Sequence, residues 1–138
     1  MPVTGSCLCE EISVTVDLQE LPQPVVCFCI NCKKSGSTSF SIETVVPRDL
    51  VQIAGNPKIY SDTATASGIP MERLFCGTCS SPILSRTPLN PDNCFLKCGL
   101  FEHPLTPPRK IVCDARKESW VNVEVAPVEV PVEVAAHL

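Results

Sequence analysis

The chain has 138 residues, a formal charge of −4, 44% apolar residues and only 5% aromatics. That length fits one domain burying roughly two-thirds of its unfolded surface, with a core resting on Val, Ile, Leu and Cys rather than on rings. The acidic balance excludes the basic stripe of a nucleic-acid module, and no apolar run of about eighteen residues offers a membrane span.

From the N-terminus, "MPVTGSCLCE" lacks the apolar stretch of a secretory signal, so a cytoplasmic chain with reduced thiols is expected. "EISVTVDL" alternates Ile12, Val14, Val16 and Leu18 against polar residues, the period of a half-buried strand. "SFSIETVV" repeats that alternation with Phe40, Ile42 and Thr44, and "DLVQIAG" continues it. "CFLKCGLF" places Cys94, Leu96 and Cys98 on one face, and "KIVCDA" and "WVNVEV" read as two further short strands. Turn-formers such as "LPQP", "AGNPK" and "LNPDN" separate them. No window of eleven residues shows a helical period, so the fold class is all-β, with at most a helical turn from Lys33 to Ser37. The domain is expected over residues 1–125. The Val/Glu/Pro-rich residues 126–138 read as a flexible tail, because their prolines forbid a central strand.

Ten cysteines are the strongest signal. In a reducing compartment clustered cysteines read as metal ligands rather than disulfides. They fall into Cys7-x-Cys9, Cys27-x-Cys29-x-x-Cys32 and Cys76-x-x-Cys79. Zinc–sulfur bonds of about 2.3 Å in a tetrahedron put sulfurs roughly 3.8 Å apart, which both C-x-C and C-x-x-C meet. Gly77 inside the last hook is expected to let backbone N–H groups turn toward the sulfurs. Seven ligands divide as four plus three. Cys7, Cys9, Cys76 and Cys79 then close one structural Cys₄ site, leaving Cys27, Cys29 and Cys32 a second site with an open position. Spacing alone leaves the pairing of Cys27/Cys29 with Cys76/Cys79 open. Cys94, Cys98 and Cys113 read as core-filling thiols, and His103 is set aside as a fourth ligand in favour of an ordinary loop histidine.

The blocks "GSCLCEEISVTV", "VCFCINCKKSGSTSF", "IAGNPKIYSDTATASGIPMERLFCGTCSSPILS" and "GLFEHP…RKIVCDARKESWV" resemble, in order, those of the glutathione-dependent formaldehyde-activating enzyme family, which includes the domain of centromere protein V. The resemblance covers residues 3 to about 122. It implies a β-tent of several short antiparallel sheets and two Zn²⁺ ions per chain. Cys7, Cys9, Cys76 and Cys79 match the structural zinc ligands, and Cys27, Cys29 and Cys32 the catalytic ones. It further implies glutathione adding to formaldehyde, or the reverse, a carbon–sulfur lyase reaction. Phe28 stands where many members have His, and Ser80 where many have Gly.

A zinc with three thiolates carries one net negative charge, so a thiol substrate suits it better than water activation. Lys33 and Lys34 are candidates to offset that charge or hold a substrate carboxylate, and Asn31 to donate to an oxygen on the metal. Phe28, Phe40 and Phe75 are candidates for the pocket wall. Two alternatives stand beside this reading: zinc chemistry on a carbonyl-bearing secondary metabolite, and a non-enzymatic zinc-stabilised binding module. The expected partner is a small molecule, with no nucleic acid, no membrane and a possible homo-oligomer.

Overall fold

The computed structural model describes residues 1–126. Ten strands and one short helix follow in order: β1 (Val3–Ser6), β2 (Ser13–Val16), β3 (Val25–Cys27), α1 (Ile30–Gly36), β4 (Ser41–Pro47), β5 (Val51–Ala54), β6 (Lys58–Asp62), β7 (Met71–Phe75), β8 (Pro82–Arg86), β9 (Asn93–Lys97) and β10 (Lys110–Val112). The fold is all-β with that one helix. No helix among the described residues is long and apolar enough to cross a membrane.

The strands form two sheets, one three-stranded in the order β1-β2-β5 and one seven-stranded in the order β10-β3-β4-β9-β8-β7-β6. Every pair is antiparallel except β10 with β3, which run parallel with Val112 opposite Cys27. That exception departs from the antiparallel sheets the resemblance implies. It arises because the chain returns to the β3 edge only after the long Pro-rich stretch before Lys110, arriving in the β3 direction.

The core lies where the inner faces of the two sheets meet. Val14 and Val16 of β2, Val46 of β4, Ile83 of β8 and Leu96 of β9 are all fully buried there. The alternation read in "EISVTVDL" therefore holds, with Ile12 buried beside Val14 and Val16. At about 25 cal/mol per Å² of apolar area, fully burying each such side chain contributes roughly 1.5–3 kcal/mol. Cys94 and Cys98 are also buried, as expected of small apolar groups, and burial pushes their thiols up to about 11 and about 12.

Several elements differ from their sequence-based expectations. The "CFLKCGLF" strand ends at Lys97, and Cys98–Leu100 form a 3-10 turn. The helix occupies residues 30–36, not 33–37, because Cys29 acts as its N-cap and Ser37 ends it in the left-handed conformation at φ 53°. "WVNVEV" forms no strand: Trp120 is 78% exposed and no regular structure covers 121–126. Cys113 is exposed rather than in the core, because the chain leaves β10 there at φ 57°. Of the tail, residues 127–138 lie outside the described residues. Ala126 is docked, its N–H donating to the Pro108 carbonyl (3.0 Å) and its carbonyl accepting from Gln23 Nε2 (2.7 Å).

Candidate metal centres

The seven clustered cysteines converge into two groups, Cys7/Cys9/Cys76/Cys79 and Cys27/Cys29/Cys32, each with its sulfurs within 4.8 Å of one another. The geometry thus selects the four-plus-three division over the pairing that spacing left open. Cys94, Cys98 and Cys113 belong to neither group, and no histidine among the described residues joins one.

Two tight turns build the four-cysteine group. In the first, the Cys7 N–H donates to the Ile12 carbonyl and the Ile12 N–H donates to Cys7 Sγ (3.2 Å). In the second, the Ser80 N–H donates to the Cys76 carbonyl and the Cys76 N–H to the Ser81 carbonyl (both 2.9 Å). The left-handed residues that close these turns are Glu10 (φ 65°) and Ser80 (φ 64°). Gly77 does not take a positive φ; Ser80 does. The Leu8 N–H donates to Ser81 Oγ (3.0 Å), and Thr78 Oγ1 donates to Glu11 Oε2 (2.7 Å), locking one turn against the other. Cys9 Sγ lies 3.7 Å from Cys7 Sγ and 3.6 Å from Cys76 Sγ. Those are the separations a tetrahedral thiolate site demands.

The three-cysteine group sits where β3 meets α1. Cys27 ends β3, Cys29 caps the helix by accepting from the Cys32 N–H at 3.2 Å, and Cys32 is buried in the first turn. Its thiols oppose one another's ionisation. The Cys27 thiol, bonded to Cys32, lowers Cys32 to about 6, and Cys27 is pushed well up in return. Burial raises Cys29. One thiolate is therefore held easily, and three only with a cation among them. In the four-cysteine group the Ser81 hydroxyl likewise lowers Cys79 to about 5. Both donor sets fit a thiophilic ion such as zinc.

The three-cysteine group opens onto a cavity sized for a small molecule. Cys27, Cys29 and Cys32 line a space of about 600 Å³ whose other walls come from β4, β9, β10 and the loop 64–66. A groove of about 650 Å³ elsewhere reaches just Cys7 of the other group. The two groups differ in that all three cysteines of one line their cavity, whereas Cys7 alone of the other four lines the groove.

The other sequence-predicted residues are placed as follows. Asn31 lines the cavity, but Nδ2 donates to Asp62 Oδ2 and to the Ala64 carbonyl (both 2.9 Å), tying the 64–66 wall to the helix. Lys33 Nζ donates to Glu118 Oε1 and to the Arg116 carbonyl (both 2.6 Å), clamping the C-terminal segment onto α1. Lys34 is exposed, away from the lining. Phe28 is fully buried and packs on Phe40 with ring centroids 5.5 Å apart, behind the cysteines rather than in the cavity. Phe75 lines a separate recess beside Tyr60 and Pro82. Residues that sequence reasoning missed, Arg73, Arg109 and Arg116, do line the cavity. Lone arginines in loops and short strands carry no spacing signal that would have found them.

An all-β scaffold with two cysteine clusters defines a class: small proteins with two groups of thiols able to hold metal ions. A family model described as glutathione-dependent formaldehyde-activating enzyme matches residues 2–121, and the chain belongs to that family. A solved crystal structure of a Rhodobacter sphaeroides protein, a structural-genomics target, shares the fold with a TM-score of 0.59 at 18% identity, covering 79% of this chain and 99% of that one. Comparison with curated proteins gives no match.

Proposed function

We propose that the chain is a zinc-dependent enzyme of the carbon–sulfur lyase class, joining a thiol such as glutathione to a small carbonyl compound such as formaldehyde, or the reverse. The observation that carries this is the convergence of three, not four, cysteines on the wall of a cavity of about 600 Å³. In this reading Cys27, Cys29 and Cys32 hold the catalytic zinc, and Cys7, Cys9, Cys76 and Cys79 the structural one. Zinc held by these three thiolates would supply Lewis acidity that favours the ionised form of a substrate thiol. In the addition, the S–H bond breaks, the sulfur forms a bond to the carbonyl carbon, the carbonyl π electrons move to oxygen, and that oxygen takes up the proton the sulfur has lost.

The chain's own residues orient and enclose. Asn31 holds the 64–66 wall through its two donated hydrogen bonds, and Lys33 holds the 116–118 segment, so both are positioning residues. Phe28, fully buried, backs the ligand turn and packs on Phe40, which lines the neighbouring groove. Val45, Met71 and Phe95 give the cavity apolar faces, and these favour a second reading in which the partner is a larger carbonyl-bearing metabolite.

Turnover of glutathione with formaldehyde, followed by exchange NMR of S-hydroxymethylglutathione, tests the proposal. Cys29→Ser is expected to keep the fold and to lose at least about a hundredfold in rate. A folded variant with unchanged turnover overturns it, and a wild type that leaves the spontaneous rate untouched but converts a larger aldehyde selects the second reading.

A further inference from the structure

The cavity beside Cys27, Cys29 and Cys32 carries a charge pattern that the thiol chemistry does not use. Arg73, Arg109, Lys110 and Arg116 line it, against a single carboxylate, Glu43. Two of these charges are already matched. Arg73 Nε donates to Asp62 Oδ2 at 2.8 Å, and Glu43 pairs with Lys97. Arg109, Lys110 and Arg116 have no carboxylate partner among the described residues, in a chain whose overall charge is −4. Three cations without a carboxylate partner on the wall of one cavity create a local field for an anion in an otherwise acidic chain.

The backbone of both arginines is fixed to the elements that carry the cysteines. The Arg109 N–H donates to the Pro24 carbonyl at 2.9 Å, at the start of the parallel ladder that sets Val112 opposite Cys27. The Arg116 N–H donates to the Cys113 carbonyl at 3.0 Å, and its own carbonyl accepts from Lys33 on α1. Arg109 is half-buried, where a guanidinium's planar donors match a carboxylate better than an ammonium does. We infer that Arg109 and Arg116 form a carboxylate clamp that fixes the end of the substrate remote from its reacting atom. The preferred substrate is then an anionic thiol with at least one free carboxylate, and neutral thiols are poor ones. This deepens the thiol reading of the three-cysteine centre and rests on it for the identity of the reacting group, while the clamp itself is testable without a thiol.

S-methylglutathione, which keeps both carboxylates and has no free thiol, probes the clamp alone. Calorimetry on the zinc-loaded protein is expected to show binding that weakens about tenfold in Arg109→Gln and in Arg116→Gln, while the diethyl ester binds all three proteins equally and weakly. No binding to the wild type, or equal binding to all three proteins, overturns the clamp. In the cobalt-substituted protein, glutathione and 2-mercaptoethanol are both expected to intensify the sulfur-to-metal band that the cysteines already give. The two variants should then need about tenfold more glutathione and unchanged 2-mercaptoethanol. Equal shifts for both thiols would mean that the arginines serve the metal's charge, which also overturns the clamp. If no thiol changes the band while S-methylglutathione still separates wild type from variants, the thiol reading falls and the clamp stands.

Discussion

Ser80 closes the Cys76–Cys79 turn at φ 64°, a conformation that costs a residue with a Cβ about 1–2 kcal/mol. Glycine there removes that strain but loses about 0.5–1 kcal/mol more chain entropy on folding. The difference favours Ser80→Gly by roughly 0.5–1 kcal/mol, and a thermal melt of the metal-loaded protein should shift upward by a few degrees; a downward shift would mean that the serine side chain contributes something its position does not reveal. Asp62 is the other informative residue. Burial opposes its ionisation, but the Arg73 guanidinium, the Ala64 N–H and the Asn31 amide outweigh burial and hold its carboxyl below the ordinary range. A depressed carboxyl stabilises the fold fully above the unfolded value of about 4 and stops doing so as pH falls through the lower folded value. Acid unfolding of the wild type should therefore include a component in that window which Asp62→Asn lacks. At neutral pH the variant should be about 2 kcal/mol or more less stable, because Arg73 is left half-buried without its partner.

At the scale of elements, β1 lies against the Cys98–Leu100 turn so closely that a Cβ on Gly5 would stand 2.6 Å from the Leu100 carbonyl oxygen. Backbone meets backbone there, so no side-chain rotation relieves the contact. Gly5→Ala is expected to cost about 1–3 kcal/mol in denaturant unfolding, and a midpoint within error of the wild type would show that β1 is free to lift away. The same elements show what a sequence reveals and what it withholds. β2 and β5 were legible because alternation is a local property of a strand with one buried face. β4 forms where expected, but Ser41 rather than Ile42 is buried and Thr44–Pro47 are buried on both faces, so the alternation of Phe40, Ile42 and Thr44 does not hold. β9 was only partly legible: Asn93, Cys94, Leu96 and Lys97 are all buried, so no polar face marks where the strand ends. The helix has seven residues, too few for a period to register, and its N-cap is a cysteine that spacing had already marked for another reason. "WVNVEV" has the composition of a strand but no ladder partner. The seven clustered cysteines were legible because ligand spacing is local chemistry. The cavity was not, since its walls come from segments as far apart in sequence as Val25 and Arg116 and exist only once β10 has docked beside β3.

For the whole molecule, the two cysteine groups occupy unequal mechanical positions. The four-cysteine group ties the turn after β1 to the turn after β7, joining the three-stranded sheet to the seven-stranded one across 67 residues of chain from Cys9 to Cys76. The three-cysteine group joins only neighbours, the end of β3 and the first turn of α1. Closing a long loop contributes more than closing a short one. Structural zinc sites contribute apparent free energies of about 10–16 kcal/mol in small peptides, comparable to the whole stability of a domain, about 5–15 kcal/mol. Loss of the first metal should therefore unfold the protein, and loss of the second should leave it folded and inert. Metal analysis is expected to give two equivalents per chain. Cys76→Ser should melt far below the wild type, with amide exchange in β1, β2 and β5 losing protection first. Cys32→Ser should retain one equivalent and melt within a few degrees of the wild type. If Cys32→Ser unfolds the chain as readily as Cys76→Ser, the division into a closed structural centre and an open chemical one is wrong, because both would then be holding the fold together.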